Sequence, residues 1–326
     1  TIYAVPYVAM PAEMTRDYNA ATSLMSARMA LMTIGILVGG TAPMIVKAAG
    51  GGPMGYRIMG LCIGVVMMVG LLGAFWGTRN APQIIEEHKP PTWREQIAIA
   101  RGNRPFGVLL VAYVTQLVGV GCVLTAVPFF AKYIVVDSGL ASEDLVTVLF
   151  LCLVLPSVLT MAPWARVAHR FGKRFAWYAS QAIFGLAACG LWSTSQVSLT
   201  LVAINTGLLG IGFAGTQLFP YSMLPDTILL DQARSGMRRE GVYSGVWTAG
   251  DKGGAALGVG VASTILATTG FVESGASEVV TQPELALTGI ALASSFVPAF
   301  MMLCSALLLR NYELGSEEVA RLQREL

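Results

Sequence analysis

Long stretches without a charged residue recur along the whole chain, and their lengths limit what it can fold into. A helix that crosses a bilayer needs about 20 consecutive, mostly apolar residues. The stretch 175–225 is too long for one crossing, and the polar run 193–198 divides it in two. The sequence therefore predicts eight full spans, within 29–46, 58–78, 105–131, 145–165, the two parts of 175–225, 241–272 and 285–309.

Composition agrees with an all-α membrane protein. Hydrophobic residues make up 55% of the 326 residues and charged residues 12%, against about 25% charged in a typical soluble domain. The formal net charge of +2 gives no indication of a nucleic-acid partner. The interpretation is a multi-pass protein whose surroundings are the lipid bilayer.

The distribution of basic residues predicts the orientation, because cytoplasmic connections are enriched in Lys and Arg. Of the 21 basic residues, 17 lie in five alternate segments, and the intervening connections carry only Lys47, Arg57 and Lys132. The basic segments are therefore predicted to be cytoplasmic, in a cell inner membrane. They are 13–28, 79–104, 166–174, 226–240 and the tail 310–326.

The spacing of the spans predicts a two-part architecture. Six spans follow 79–104, the longest internal connection, while two spans and a short apolar stub at 1–12 precede it. A transporter of two six-helix halves has this arrangement if about three and a half helices are missing before Thr1. We expect 1–78 to be the rest of the first half, 79–104 a solvated central loop, 105–309 the second half and 310–326 a tail.

The sequence contains no arrangement of residues that is typical of a catalytic or metal site. All five cysteines lie in apolar stretches, and His88 and His169 lie in polar connections. Neither a disulfide framework nor a metal-ligand spacing is present, and no nucleophile arrangement occurs within the spans. We therefore expect no enzyme activity, no metal and no cofactor.

Asp251 and Lys252 form the one pair of charges well inside an apolar span. Each charge at the bilayer centre costs at least about 2.5 to 3.5 kcal/mol, so both side chains should face protein or water. Helical neighbours point about 100° apart, and we expect a partner from another helix for each. Trp247 and Thr248 would share a cavity wall with Lys252. Two alternatives remain open, a structural ion pair and an interfacial position for Trp247.

Asp226 follows Pro225 at the predicted cytoplasmic end of a span, shortly before Arg234, Arg238 and Arg239. Salt bridges at this point could close an inner gate. The alternative for the arginines is a solvated loop, in which exposed ion pairs contribute only about 0 to 1 kcal/mol. An acid does not serve the cytoplasmic excess of positive charge, so the gate hypothesis depends on Asp226.

Three segments resemble a known superfamily of carriers. The loop APWARVAHRFGKR at 162–174 resembles the loop signature of the major facilitator superfamily, with His169 in place of the usual acid or amide. Residues 6–28, PYVAMPAEMTRDYNAATSLMSAR, and 220–254, which include SMLPD, RREG and DKGG, resemble the glycoside-pentoside-hexuronide:cation symporters. The resemblance implies the twelve-helix fold of that superfamily.

The resemblance also implies roles for individual residues. Arg28 and Lys252 would reach a central cavity, and Glu13, Asp17, Asp226 and Arg239 would form a cytoplasmic charge network. The full set of candidates for solute binding is Arg28, Lys252, Trp247, Thr248, Tyr7 and Gln217. The candidates for coupling or gating are Glu13, Asp17, Asp226, Arg239 and Asp251.

Several positions depart from the family pattern. Ala4 stands where a sugar-transporting member has a cation-linked acid, and Gln217 stands where that member has a Trp. Val8, Ala21 and the pair Leu229 and Leu230 are further departures. The expected function is symport of a sugar or glycoside with Na⁺ or H⁺ by alternating access, by a monomer. The alternatives are symport of a lysolipid or other amphiphile, which SMLPD favours, and, more remotely, a membrane-embedded enzyme.

Overall fold

The computed structural model describes residues 35, 38–39, 42–80, 92–135, 142–194, 198–237, 239–273, 280–315, 318–319 and 321–322. Ten helices lie within these residues, which contain no strand. They are α1 (Ala42–Ala48), α2 (Gly52–Thr78), α3 (Trp93–Gly102), α4 (Arg104–Tyr133), α5 (Ser142–Phe171), α6 (Lys173–Thr194), α7 (Leu199–Ser235), α8 (Glu240–Thr268), α9 (Glu284–Ser294) and α10 (Phe296–Leu309).

Five described helical segments are long and apolar enough to cross a membrane. They are α2, α4, most of α5, α7, and α9 together with α10. The prediction of a multi-pass, all-helical membrane protein is therefore confirmed. Helices α6 and α8 occupy two further predicted spans with 22 and 29 residues, and most of 29–46 lies outside the described residues. The total of eight spans stays a prediction.

The polar run 193–198 separates two helices, as the sequence predicts. Helix α6 ends at Thr194 and α7 begins at Leu199. The Ser198 hydroxyl accepts a hydrogen bond from the Leu201 N–H at 3.3 Å. A serine in this position satisfies an amide that the first turn leaves without a helical partner.

The connection 79–104 is not a solvated loop throughout, and that expectation is wrong for its last part. Residues Trp93–Gly102 form α3, whose first turn is stabilised by a hydrogen bond from the Thr92 N–H to the Glu95 carboxylate at 2.7 Å. Asn103 then caps α4 by accepting from the Phe106 N–H at 3.2 Å. The capping box at Thr92 and Glu95 stabilises the start of α3, and the Asn103 side chain stabilises the start of α4.

The chain divides into two compact units at Pro90 and Pro91. In the second unit, α4 packs against α8 and α10, and α7 packs against α5 and α6. One apolar cluster includes Phe106, Tyr113, Trp177, Phe219 and Tyr243. A second includes Phe130, Leu149 and Phe184.

Glycines allow α4 and α8 to approach closely. A Cβ on Gly258 would lie 2.7 Å from the Val118 carbonyl oxygen and 2.8 Å from the Gly121 Cα. The spacing of Gly254 and Gly258 is typical of helix contacts in membranes, where small residues let backbones meet. This contact fixes the position of α8, and with it Asp251 and Lys252, relative to α4.

The last predicted span, 285–309, is interrupted. Helix α9 ends at Ser294 and α10 begins at Phe296. Pro298 has no N–H to donate to a carbonyl of the preceding turn. The Ser294 hydroxyl donates to the Ile290 and Ala291 carbonyls, and the Ser295 hydroxyl donates to the Ala291 carbonyl, so both hydroxyls at the break are hydrogen-bonded.

Candidate functional site

The Asp251 carboxylate lies where side chains of three helices meet. The Tyr113 hydroxyl of α4 donates to Asp251 Oδ1 at 2.7 Å. The Tyr221 hydroxyl of α7 lies 3.5 Å from the same oxygen and 3.2 Å from the Tyr113 hydroxyl. Lys252 Nζ lies 3.0 Å from Asp251 Oδ2. Both carboxylate oxygens therefore face hydrogen-bond donors.

The expectation that Asp251 and Lys252 each have a partner on another helix is confirmed for Asp251. For Lys252 the structure shows an ion pair with its neighbour Asp251, and a partner on another helix stays a prediction. The four-carbon stem of lysine is long enough to fold back across the 100° between helical neighbours. The Lys252 side chain is 66% exposed, whereas that of Asp251 is 21% exposed. The acid is therefore held inside the protein and the ammonium lies at its surface.

Trp247 forms the inner wall behind this acid. Its indole stacks on the Tyr113 ring with centroids 4.4 Å apart and an interplanar angle of 8°, and it meets the Tyr221 ring edge-on at 5.7 Å. Only 3% of Trp247 is exposed. We call Tyr113, Tyr221, Trp247, Asp251 and Lys252 the Asp251 cluster.

The other predicted binding residues on described helices have simpler surroundings. The Thr248 hydroxyl donates to the Ser244 carbonyl at 2.8 Å, within α8. Gln217 is half-buried on α7. Tyr7 and Arg28 lie outside the described residues.

Sequence reasoning missed Tyr113 and Tyr221. Both lie inside charge-free stretches, where a tyrosine reads as one more aromatic residue. A phenol hydroxyl in a membrane interior needs a hydrogen-bond partner, so two mid-span tyrosines near a mid-span acid were the available signal. The pairing itself depends on how α4, α7 and α8 are arranged.

A second polar site lies where α6 begins and α7 nears its end. Lys173 Nζ lies 2.6 Å from Asp226 Oδ2 and donates to the Ser222 carbonyl at 2.8 Å. The Asp226 side chain is 14% exposed. Beyond the end of α10, burial and the nearby negative charge of Asp226 raise the pKa of the Tyr312 phenol above its ordinary value.

Asp226 and Arg239 belong to different ion pairs. Arg239 Nη1 lies 3.8 Å from Asp231 Oδ1, while Asp226 pairs with Lys173. Glu13 and Asp17, the other predicted members of the charge network, lie outside the described residues. Within the described part of the chain the predicted network is thus two separate pairs, because Asp231 lies one turn nearer to Arg239 along α7.

Asn103 connects three helices near these ion pairs. Its Nδ2 donates to the Thr227 carbonyl of α7 at 2.8 Å and lies 3.3 Å from the Tyr243 hydroxyl of α8. Its Oδ1 caps α4. One buried amide thus holds the start of α4 against α7 and α8.

A buried polar network around Gln116 crosses the middle of the second unit. Gln116 Nε2 donates to the Thr216 carbonyl at 2.7 Å, and its Oε1 accepts from Trp177 Nε1 at 2.9 Å and Gln181 Nε2 at 3.3 Å. Gln181 Nε2 also lies 2.7 Å from Ser305 Oγ. These contacts connect α4, α6, α7 and α10.

Among the described residues, no group of three or more His, Cys, Asp or Glu side chains could hold a metal ion. At the Asp251 cluster, a carboxylate that contacts two phenol hydroxyls lies beside the exposed Lys252 ammonium, in the middle of α8.

Residues 1–316 match the family described as "MFS/sugar transport protein". The chain belongs to this family of the major facilitator superfamily. The resemblance to glycoside-pentoside-hexuronide symporters is confirmed, and the family to which the chain belongs is one of transporters rather than enzymes.

Curated relatives are similar at low identity. An uncharacterized symporter of Synechocystis sp. is 27% identical over 210 residues, 64% of this chain and 38% of the relative. The isoprimeverose transporter of Lactiplantibacillus pentosus is 24% identical over 322 residues, 96% of this chain and 64% of that transporter. A glucuronide carrier protein homolog of Escherichia coli is 24% identical over 277 residues, 83% of this chain and 57% of the carrier. This chain thus spans less than two thirds of the length of each of these relatives.

Proposed function

We propose that this protein is a secondary active transporter that couples the uptake of a sugar or glycoside to a cation gradient. Alternating access in the cell inner membrane would carry the solute. The family description names sugar transport, and two relatives are named for isoprimeverose and for a glucuronide. The intact carrier would have the twelve helices of two six-helix halves, with 105–309 as the second.

The observation that carries the proposal is the position of Lys252. Its ammonium group is exposed in the middle of α8, although a charge at that depth is costly in a helix that only contacts lipid. A water-filled solute cavity accounts for both the charge and its exposure. Lys252 would donate hydrogen bonds to solute oxygens there, with Asp251 holding the lysine in place between transport cycles.

The remaining candidates take supporting roles in this proposal. Tyr7, Arg28, Thr248 and Gln217 would complete the solute cavity, and Trp247 would support its wall through Tyr113. Glu13, Asp17 and Arg239 would join Asp226 in closing the inner side. The acting unit would be a monomer.

Transport by the intact carrier in proteoliposomes tests the function. The probes are radiolabelled isoprimeverose and methyl β-D-glucuronide, each under an imposed H⁺ gradient, an imposed Na⁺ gradient, or neither. We expect at least one probe to accumulate only when a gradient is present. A probe that binds to the carrier but is not moved under any gradient would contradict the proposal.

An amphiphile is the second candidate solute, because the SMLPD segment at 222–226 favours it. A lysophosphatidylcholine added to the same vesicles tests it. Gradient-dependent movement of this lipid, with neither glycoside transported, would replace the sugar by an amphiphile and leave the symport mechanism intact.

A further inference from the structure

The groups around Asp251 are hydrogen-bond donors. Tyr113 donates to Oδ1 at 2.7 Å, and the Lys252 ammonium contacts Oδ2 at 3.0 Å. Tyr221 Oη lies 3.5 Å from Oδ1. Asp251 is also the one acid that lies inside an apolar span rather than near its end. The Asp251 carboxylate, whose side chain is 21% exposed, thus contacts one positive charge and two phenol hydroxyls.

This surrounding is a poor site for a metal cation. Sodium and other hard cations are bound by several oxygen atoms that direct lone pairs at the ion. At Asp251 a positive ammonium group already occupies the contact with Oδ2, and it would repel a second cation at so short a distance. A proton needs a single oxygen atom rather than a shell of several, and once bonded it removes the carboxylate charge that attracts the ammonium group.

We propose that Asp251 carries the coupling proton and that its protonation releases Lys252 to bind the solute. This inference rests on the proposed function and adds the coupling ion and its site. A proton from the outer solution bonds to Oδ2, and the ion pair between Oδ2 and Lys252 Nζ breaks. Lysine keeps its own proton. The net charge of the pair therefore rises from 0 to about +1, and the ammonium at the exposed end of the lysine side chain no longer has a carboxylate partner.

Cooperation between proton and solute follows from this exchange of partners. A deprotonated Asp251 competes with solute oxygens for the Lys252 ammonium. A protonated Asp251 no longer competes, and its Oδ1 can still accept from Tyr113. Proton and solute therefore favour each other's binding, and by linkage the effect is reciprocal.

The titratable groups that contact Asp251 come from three helices, namely Tyr113 from α4, Tyr221 from α7 and Lys252 from α8 itself. Helices α3 and α9 also pack against α8, and in the described part of the chain neither supplies an ion pair or hydrogen bond to Asp251. Their charged residues are Arg94, Glu95, Arg101 and Glu284. In this proposal, protonation of Asp251 thus breaks one local ion pair, the one with Lys252.

Infrared difference spectroscopy tests protonation without needing the solute. The intact carrier in liposomes is titrated from about pH 9 to about pH 3, a range that includes the ordinary carboxyl pKa of about 4. We expect the C=O band of a protonated carboxyl group that Asp251→Asn lacks. Glu313→Gln, which removes a carboxylate from an exposed pair with Arg104, is the matched control and should keep the band.

Transport separates proton coupling from solute movement. In the intact carrier, Asp251→Asn should abolish accumulation of isoprimeverose or methyl β-D-glucuronide under a proton gradient. It should retain exchange of external probe for probe preloaded inside the vesicles. Glu313→Gln should retain both activities. A weakly buffered suspension of wild-type vesicles should also become more alkaline as the probe enters, which needs no variant.

Three results would overturn the inference. They are the same carboxyl band in wild type and Asp251→Asn, proton-driven accumulation by Asp251→Asn, and accumulation by wild type that needs sodium at constant pH without alkalinisation. A wild-type carrier that moves neither probe would contradict the proposed sugar function instead. The infrared comparison would then still decide whether Asp251 takes up the proton.

Discussion

At the scale of single residues, the hydrogen bond from Tyr113 fixes the Asp251 carboxylate. Its 2.7 Å distance contrasts with 3.5 Å for Tyr221. The two phenol hydroxyls thus lie near the same carboxylate oxygen, Asp251 Oδ1, at different distances. Variants of the two tyrosines can therefore be compared as a matched pair. Hydrogen bonds to charged groups contribute about 1.5 to 3 kcal/mol, and the contribution falls as the distance lengthens.

Tyr113→Phe should therefore lower the apparent melting temperature of the purified carrier more than Tyr221→Phe. The phenyl ring keeps the stacking on Trp247, so the change isolates the hydroxyl, at an expected cost of about 1.5 to 3 kcal/mol. Thermal unfolding in detergent, measured for both variants side by side, checks this order. Equal melting temperatures for the two variants would show that Tyr113 does not hold Asp251.

Lys252→Ala should abolish concentrative uptake while membrane yield stays near normal. The lysine is 66% exposed, so its removal leaves no apolar cavity, and Asp251 keeps the Tyr113 hydrogen bond. A buried partner stranded without its charge would instead cost about 3 to 5 kcal/mol. Uptake and membrane yield are measured in the same cells. Normal uptake, or a loss explained wholly by lower yield, would contradict the role given to Lys252.

At the scale of helices, the contact between α4 and α8 positions the Asp251 cluster. It depends on Gly258, where a Cβ would lie 2.7 Å from the Val118 carbonyl. Gly260, two residues along α8, has no atom within 4 Å of such a Cβ. The two glycines therefore separate the effect of helix contact from that of backbone entropy.

Gly258→Ala should destabilise the carrier by about 1 to 3 kcal/mol, the usual cost of overpacking. Gly260→Ala should be neutral or stabilising by up to about 1 kcal/mol, because alanine is the better helix former. Thermal unfolding and uptake are measured for both. If the two variants behave alike, the close approach of α4 and α8 is not what fixes α8.

The ion pair between α6 and α7 gives a second prediction at this scale. Asp226→Asn in the intact carrier should slow turnover and favour inward-open forms, because Lys173 loses its 2.6 Å partner. The double reversal Asp226→Lys with Lys173→Asp should recover part of the turnover. Initial uptake rates at saturating probe check this, with equilibrium binding as the control. Unchanged turnover in Asp226→Asn would leave Asp226 as a residue of helix packing only.

The sequence predicted most of the long helices, but it did not predict which side chains of different helices contact each other. The polar run 193–198 identified the boundary between α6 and α7 because an uncapped helix end is costly in lipid. Helix α3 was missed because ten amphipathic residues beside Pro90 and Pro91 carry no span signal. Tyr113 and Tyr221 were missed because contacts among α4, α7 and α8 depend on tertiary packing.

At the scale of the whole molecule, orientation follows from the basic residues. The connections 79–104, 166–174 and 226–240 should lie on the same side of the membrane as the C-terminus. Single cysteines in a carrier freed of its native cysteines are labelled with an impermeant reagent in right-side-out and inside-out vesicles. All three should be labelled only in inside-out vesicles. Opposite accessibility of 79–104 and 226–240 would contradict the predicted orientation.

The polar network around Gln116 has a consequence for how the second compact unit assembles. Lipid tails are as apolar as leucine, so hydrocarbon does not tell one apolar helix surface from another. One arrangement of α4, α6, α7 and α10 forms the hydrogen bonds of Gln116 with Thr216, Trp177 and Gln181, and of Gln181 with Ser305, while Gln181 Oε1 has no hydrogen-bond partner among the described residues. A newly inserted helix that packed against a different neighbour would lose these hydrogen bonds and leave side-chain amide groups unpaired in the lipid hydrocarbon. These hydrogen bonds therefore favour one set of helix neighbours over others when the inserted helices pack together during biogenesis.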